Sequence, residues 1–439
     1  MKRPEITPTT MDVPKLRILL VGNGGREHAL SWKLSQSSHV EHIHVVPGNG
    51  GTATVPKCTN VDSVSAEDFA ALARFAKEHD INLLVPGPEA PLVAGIADYF
   101  QQHVAGVSCF GPSKLAARME GSKTFSKDFM KAHSIPTAAY ENFNDYEKAK
   151  KYLDTVDHDV VIKADGLAAG KGVIIPKSKE EAQAALKEIM LDKEFGDAGN
   201  EVVIEEFLEG EELSILTFSD GYSIRSLPPA QDHKRIGDGD TGPNTGGMGT
   251  YAPTRVVTDK QLKDIDRTII QPTIDGMRKS WYPFVGVLFT GFMMTESGPR
   301  VLEYNVRFGD PETQSCLSLM KSDLAEIMLA CTHGCLDAVE LEIEQKYAAT
   351  VVVAAGGYPS AYKKGTEMIL DDVAEGTVLF HAGTTLADSK LKTSGGRVIA
   401  ATATAESLAD AVRKAYKGVD AIHFEGMQYR KDIAARALK

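Results

Sequence analysis

Over the first 120 positions, runs of consecutive apolar residues alternate with stretches whose apolar positions recur roughly every three to four residues. RILLV (Arg17–Val21) reads as a short buried strand, Gly22–Gly25 as a turn and Arg26–Ser37 as a helix. HIHVVPG gives a second strand and its loop. In AEDFAALARFAKEH, the residues Phe69, Leu72, Phe75 and Ala76 fall on one helical face. INLLVPGPEAPL (Ile81–Leu92) is a strand ending in a Pro-Gly-Pro loop, and VAGIADYFQQ continues as a helix. Short, wholly apolar strands between helices predict a parallel sheet covered on both faces.

A different rhythm begins near residue 113. SKLAARMEGSKTFSKDFMKAHSIPT predicts two helices that stop at Pro136. DVVIKADGLAAGKGVIIPKS reads as strand, glycine loop, strand; EEAQAALKEIM as a helix; EVVIEEFLEGEELSILTFSDG as strand, loop, strand. Residues 137–210 thus suggest a small α+β unit inserted in a larger domain. From Pro228 to Pro253 the chain has six glycines and no periodicity, which predicts a long functional loop. A helix over Asp259–Lys279 with Thr258 as its cap, then the strands VGVLFTGFMM and PRVLEYNV, complete this domain. The last hundred residues are β-rich with Gly-Gly turns and one further helix, ESLADAVRKAYKGV. The expected organisation is a tail (1–16), an α/β domain (17–120), a second domain (121–345) and a small β-rich domain (346–439), with no second catalytic domain beyond it.

Composition narrows the function classes. Hydrophobic residues at 43% and charged residues at 25% indicate a globular chain. The net charge of −12 argues against a duplex-binding surface but permits a phosphorylated small substrate. Five scattered cysteines suggest no disulfide framework. The polar, proline-containing start lacks an apolar leader, and no stretch reaches the roughly 18 apolar residues of a membrane span. A soluble, cytoplasmic protein is expected, with neither nucleic acid nor membrane as partner.

Candidate chemistry lies in the glycine loops. GNGGREHA (Gly22–Ala29) joins a strand to a helix start, where backbone N–H groups suit a phosphate or carboxylate. It is not a dinucleotide fingerprint, because Glu27 occupies the third glycine position and no acidic ribose ligand ends the second strand. PGNGG and GPEAPL follow the other parallel strands, whose carboxyl ends line a ligand crevice; Glu89 there can hold sugar hydroxyls or merely cap the next helix. KADGLAAGKG (Lys163–Gly172) is not a P-loop: Gly172 replaces the magnesium-binding hydroxyl and a strand follows. A glycine loop with a lysine at each end can still fold over phosphates. Lys163 emerges from an apolar run and needs an anionic partner, whether a ligand or a buried ion pair. In IEEFLEGEELS, the backbone of Glu206–Leu208 can offer an adenine edge, or the five glutamates can form a solvated acidic edge. Glu303 and Asn305, two apart on a strand, share a face and offer hard oxygen donors of the Mg²⁺ kind. Arg307 continues that face, and Asp310 opens a turn where it can orient an amine or a hydroxyl. Histidines have no zinc spacing, and no nucleophile elbow is present.

These motifs, in this order, resemble the glycinamide ribonucleotide synthetase (phosphoribosylamine–glycine ligase) family of the ATP-grasp superfamily. The strings VGNGGREHALSWKL, PGNGGTA, VPGPEAPLVAGI, EGSKTFSKDFM, VIKADGLAAGKGV, VIEEFLEGEE, AQDHKRIGDGDTGPNTGGMG and EYNVRFGDPETQ carry the likeness over nearly the whole chain. It implies a multidomain α/β and α+β fold: an N-terminal parallel-sheet domain, an ATP-grasp domain with an inserted lid, and a small β-rich C-terminal domain. It also implies that glycine, ATP and 5-phospho-D-ribosylamine give glycinamide ribonucleotide, ADP and phosphate through glycyl phosphate, in purine synthesis. By this resemblance Lys114, Lys163 and Lys171 hold the ATP phosphates, and Glu205, Glu206, Phe207 and Leu208 form the adenine hinge with Glu212 on the ribose. Glu303 and Asn305 bind Mg²⁺ or Mn²⁺. Arg307 stabilises the transferring phosphoryl group, Asp310 touches the amine-bearing substrate, and Lys171 belongs to the mobile catalytic loop. Gly24, Gly25, Arg26, Asn49 and Glu89 cradle phosphoribosylamine, while Asp232 and Lys234 help close the site.

One departure stands out. Many ATP-grasp enzymes have a further carboxylate about twelve positions before the Glu of Glu-x-Asn, and here that position is Gly291. The alternatives are a sister carboxylate–amine ligase, disfavoured by GNGGREHA and the Ala230–Gly249 stretch, and a nicotinamide-dependent oxidoreductase, disfavoured by Glu27 and the missing ribose acid. A non-catalytic nucleotide sensor has no need of Glu303, Asn305 and Arg307 together.

Overall fold

The structure, a computed structural model, describes residues 15–167 and 172–439. Five parallel strands open the chain, ordered Cys58–Asn60, Val40–Pro47, Leu16–Gly22, Leu83–Pro86, Ser108–Cys109. Their apolar runs are buried on both faces: Leu19 and Val21 face one hydrophobic core, Ile18 and Leu20 the other. Both cores continue without a break into the next sheet, through Leu213, Ile215 and Leu288 on one side and Leu216, Phe218 and Val287 on the other.

That next sheet is antiparallel: Ile224–Ser226, Glu211–Asp220, Val285–Thr295, Gly298–Asn305. A smaller sheet, Tyr140–Phe143, Val202–Glu206, Val160–Ala164, Val173–Ile174, forms a separate unit. It has its own core, in which Ile162, Ala164, Val202 and Ile204 meet Leu153, Leu186 and Ile189 from two helices.

The predicted long loop from Pro228 to Pro253 is corrected. It holds a hairpin, Arg235–Gly237 against Thr241–Asn244, and two strands, Gln231–Asp232 and Gly249–Ala252. The latter pair lies in one sheet with Tyr347–Ala355, Arg397–Ala405 and Thr377–His381. Glycine-rich strands this short carry too little alternation to be read from sequence. Helix Leu408–Val419 covers this sheet with Leu408, Ala411, Val412, Ala415 and Val419, a helical stripe. The predicted helix at Asp259–Lys279 is present, capped by Thr258, but passes through a π-helical segment at Asp266–Ile270. Pro272 explains it: proline lacks an N–H and crowds the carbonyl four residues back, which widens the turn.

Two buried histidines, His28 and His381, hold the seam between the first and last sheets, and a third, His233, is buried at the last sheet. His28 Nδ1 accepts the His381 N–H at 2.8 Å, and the His28 ring packs against Phe380, which also meets Trp32, and against the His381 ring. His233 donates from Nδ1 to Gly249 O at 3.0 Å and accepts the Ala434 N–H on Nε2 at 3.1 Å, which fixes a neutral tautomer. Burial lowers His28 to about 3, and His233 and His381 to about 4 each. The unfolded chain protonates them near pH 6.5, the folded chain only well below that. Their stabilisation is therefore complete above that pH and is lost as pH falls from 6.5 toward 4, by about 1.4 kcal/mol per pH unit for each ring. Urea midpoints at pH 7.5 and 5.5 check this; equal midpoints would refute it.

Candidate active site

Gly24, Gly25 and Arg26 lie at the carboxyl end of strand Leu16–Gly22, where helix Gly25–Ser35 begins. Glu27 is buried, and its carboxylate takes the Gly24 N–H and the Arg26 Nε, each at 2.6 Å. A Cβ on Gly87 would come within 2.0 Å of Glu27 Oε1, so only glycine fits there. The loop is thus organised around an internal ion pair, unlike one built to approach a dinucleotide pyrophosphate.

Asn49 is also fully engaged. Its Nδ2 donates to Asn23 O, Gly24 O and His381 O, and its Oδ1 accepts the N–H groups of Gly51 and Thr52. Through these bonds Asn49 ties together the loops around the crevice.

Asp310 reaches the same place from the far side of the chain. Its Oδ2 accepts the Arg26 N–H at 3.1 Å, and its Oδ1 accepts Gln314 Nε2 at 3.0 Å. Burial pushes its pKa up, but Arg397 and Arg26 outweigh burial and hold it below the ordinary carboxylate value.

Glu303 and Asn305 point to one face of Gly298–Asn305, while Tyr304 between them is buried. Glu303 is paired across the sheet with Gly291, so no side chain crowds it from the neighbouring strand. Burial raises its pKa, yet Lys234, Lys163, Lys123 and Arg307 together bring it below the usual value. Arg307 lies 3.1 Å from Glu120, 3.4 Å from Glu89, and donates to Asn305 Oδ1 at 3.3 Å. Glu89, at the first turn of helix Glu89–Ala94, thus faces Arg307.

The lysines divide. Lys163 and Lys127 both pair with Glu205 at 2.9 Å, and the Glu205 side chain is only 2% exposed. Glu205 therefore anchors two cations through its side chain, while any hinge contact falls to backbone. There the Glu206 N–H already bonds Ala139 O and the Phe207 N–H bonds Asp159 O. Among the described residues the Leu208 N–H makes no such bond. Lys234 lies 3.5 Å from Glu212 and 3.9 Å from Glu303, and these carboxylates, with Asp232 and Glu312, outweigh burial and keep it firmly charged. Burial and the neighbouring Glu312 push the Asp232 carboxyl well above its ordinary value. Lys171 lies outside the described residues.

Lys114 stands apart. It is exposed, at the first position of helix Lys114–Gly121, and its stem packs near Gly95. Lys123, at the same position of the next helix, instead donates to Gly166 O at 2.8 Å and shares the field of Glu303 and Lys163. Lys123→Ala is expected to weaken ATP binding by about tenfold, and Lys114→Ala by less than about twofold, as titration calorimetry would show. The reverse order would restore Lys114.

Residue-level matches decide the family. Family models describing phosphoribosylglycinamide synthetase match residues 16–120 (N domain), 121–313 (ATP-grasp domain) and 348–436 (C domain). The chain belongs to the phosphoribosylglycinamide synthetase family. It is 60% identical over 423 residues to a bifunctional purine biosynthetic protein of Schizosaccharomyces pombe, covering 96% of this chain and 53% of that protein. It is 48% identical over 426 residues to a phosphoribosylamine–glycine ligase of Vibrio parahaemolyticus, covering 96% of this chain and 99% of that one. The crystal structure of phosphoribosylamine–glycine ligase from Thermotoga maritima matches with a TM-score of 0.82 at 36% identity, over 95% of this chain and 100% of that one. The chain spans about half the length of the bifunctional relatives it matches.

As a member of the phosphoribosylglycinamide synthetase family, the chain has the expected N-terminal parallel sheet, ATP-grasp domain and C-terminal domain. Residues to which the sequence reading gave no role join its crevice: Lys123, Lys127, Glu120, Glu312 and Arg397. Glu303 and Asn305 suit a hard divalent cation, being adjacent oxygen donors with lysines nearby for the phosphates.

Proposed function

We propose that the chain joins glycine to 5-phospho-D-ribosylamine at the expense of ATP, giving glycinamide ribonucleotide, ADP and phosphate. The single observation carrying this reading is a junction. The phosphate-side residues Lys123, Lys163, Glu303 and Arg307 lie in one crevice with Gly24–Arg26 and Asp310, which meet directly through the Arg26 N–H.

In this reading the adenine edge meets the backbone of Glu206–Leu208, and Glu212 takes the ribose hydroxyls. Lys163 and Lys123 hold the phosphates, with Lys171 closing over them. Glu303 and Asn305 would hold Mg²⁺ or Mn²⁺, which supplies charge neutralisation between the phosphates. The glycine carboxylate attacks the γ-phosphorus, the bond to the ADP oxygen breaks, and glycyl phosphate forms. Arg307 balances negative charge on the phosphoryl oxygens during that transfer. The amine of phosphoribosylamine then attacks the glycyl carbonyl carbon, phosphate leaves with the bonding pair, and the amine loses a proton. Asp310, held ionised, orients that amine, while Gly24, Gly25 and Arg26 receive the sugar phosphate and Lys234 and Asp232 close the crevice. Catalysis is positioning and charge placement, with no covalent step on the protein.

No helix among the described residues is long and apolar enough to cross a membrane, and a cytoplasmic setting with small-molecule partners alone belongs to the same proposal. The test is ADP release with Mg²⁺ and ATP, adding glycine and freshly generated phosphoribosylamine separately and together, with product mass measured. Turnover requiring both substrates and yielding glycinamide ribonucleotide is expected. ATP consumption without that product would move the assignment to a sister ligase.

A further inference from the structure

Arg397 is the one arginine that the C-terminal sheet directs at Asp310 among the described residues. It begins strand Arg397–Ala405, far in sequence from every motif. Its Nη1 donates to Asp310 O at 2.7 Å and lies 3.5 Å from Asp310 Oδ1. The same nitrogen donates to Gly246 O at 2.8 Å and to Gly247 O at 3.3 Å. The guanidinium lies so close to Gly246 that a Cβ there would come within 2.9 Å of its central carbon. Gly247 in turn packs on Asp232, whose carboxylate oxygens would lie 2.8 Å from a Cβ. The Gly246 N–H is held separately by the Tyr358 hydroxyl at 3.2 Å.

We infer that Arg397 is a positioning residue for the amine substrate: it fixes the Asp310 carboxylate and clamps the Gly246–Gly247 turn against it. The inference rests on the proposed ligase reading. Three parts of the fold converge on Asp310: the Arg26 N–H from the N-terminal domain, Gln314 from the following helix, and Arg397 from the C-terminal sheet. Removing Arg397 leaves the first two but frees the turn and removes the cation beside Oδ1. The amine site should then lose its geometry. The nucleotide side, where Lys163, Lys123 and Glu205 make no contact with Arg397, should keep its own.

Arg397→Met is expected to raise KM for phosphoribosylamine by about tenfold or more, with the dissociation constant for ADP within about twofold of wild type. Arg397→Lys should recover part of that loss, because it restores charge without the fork. Guanidinium ion at millimolar concentration should partly restore Arg397→Ala. In a double-mutant cycle, Arg397→Met added to Asp310→Asn should cost little beyond Asp310→Asn alone, because both act on one contact. An unchanged KM for phosphoribosylamine, or fully additive effects in the cycle, would overturn the inference. Should Arg397→Met not fold, Arg397→Lys and its cycle with Asp310→Asn decide in the same way. Wild-type turnover separates the two failures: without glycinamide ribonucleotide from the wild type, the ligase reading falls and takes this inference with it. With that product and no response at Arg397, only the inference falls.

Discussion

Replacing Glu303 by alanine should lower turnover by at least about a thousandfold while leaving the thermal midpoint nearly unchanged. The side chain is 39% exposed and contributes little to any core. Its neighbours are charged groups that tolerate its loss: Lys234 keeps Glu212 at 3.5 Å, and Lys163 keeps Glu205. Across the sheet stands Gly291, so no nearby carboxylate on the paired strand substitutes for the missing one. Glu303→Ala should also lose most of the dependence of ATP affinity on Mg²⁺. Calorimetric titration of ATP with and without Mg²⁺, beside the turnover assay, checks both parts. Retained turnover would remove Glu303 from the metal site.

Glu205→Ala should act in the opposite way, through stability. It leaves the ammonium groups of Lys127 and Lys163 buried with no carboxylate between them. Breaking a buried charge cluster in this manner costs about 3–5 kcal/mol. Lys127 retains Thr137 Oγ1 at 2.6 Å and Lys163 retains Leu302 O at 3.2 Å, so both have one neutral acceptor left. Leu302 adjoins Glu303, which ties the small inserted sheet to the strand bearing the proposed metal ligands. The variant should therefore melt several degrees lower and bind ATP more weakly. Glu205→Gln, which keeps the shape, should recover part of the midpoint. A wild-type midpoint in Glu205→Ala would show that the two lysines find other partners.

The parallel sheet was legible because buried strands there are continuous apolar runs, and the face shared by Glu303 and Asn305 because strand side chains alternate. The choice between two lysines was harder. Ser113-Lys114 and Ser122-Lys123 are the same local device, a serine cap followed by lysine at the first helical position. Sequence gives no means to rank them, and only the tertiary placement of the second helix beside Asp165 and Gly166 separates them. Lys163 was legible as a lysine in need of an anion, but its partner Glu205 was lost among five adjacent glutamates. Arg397 gave no signal at all, since a strand-opening arginine after Gly-Gly has no local reason to reach a turn 150 residues earlier.

The sheet holding Gly249–Ala252 has a consequence for how the chain is made. That strand is translated about a hundred residues before its partner Tyr347–Ala355, and further still before Arg397–Ala405. Until residues 347–405 leave the ribosome, Gly249–Ala252 has an unpaired edge and the Gly246–Gly247 turn has no clamp. A chain cut near residue 345 would keep both defects permanently, and the excised segment would lack its outer strands. The N-terminal and central regions can collapse early around their shared cores, but the cluster around Asp310 is completed only once Arg397 has been synthesised.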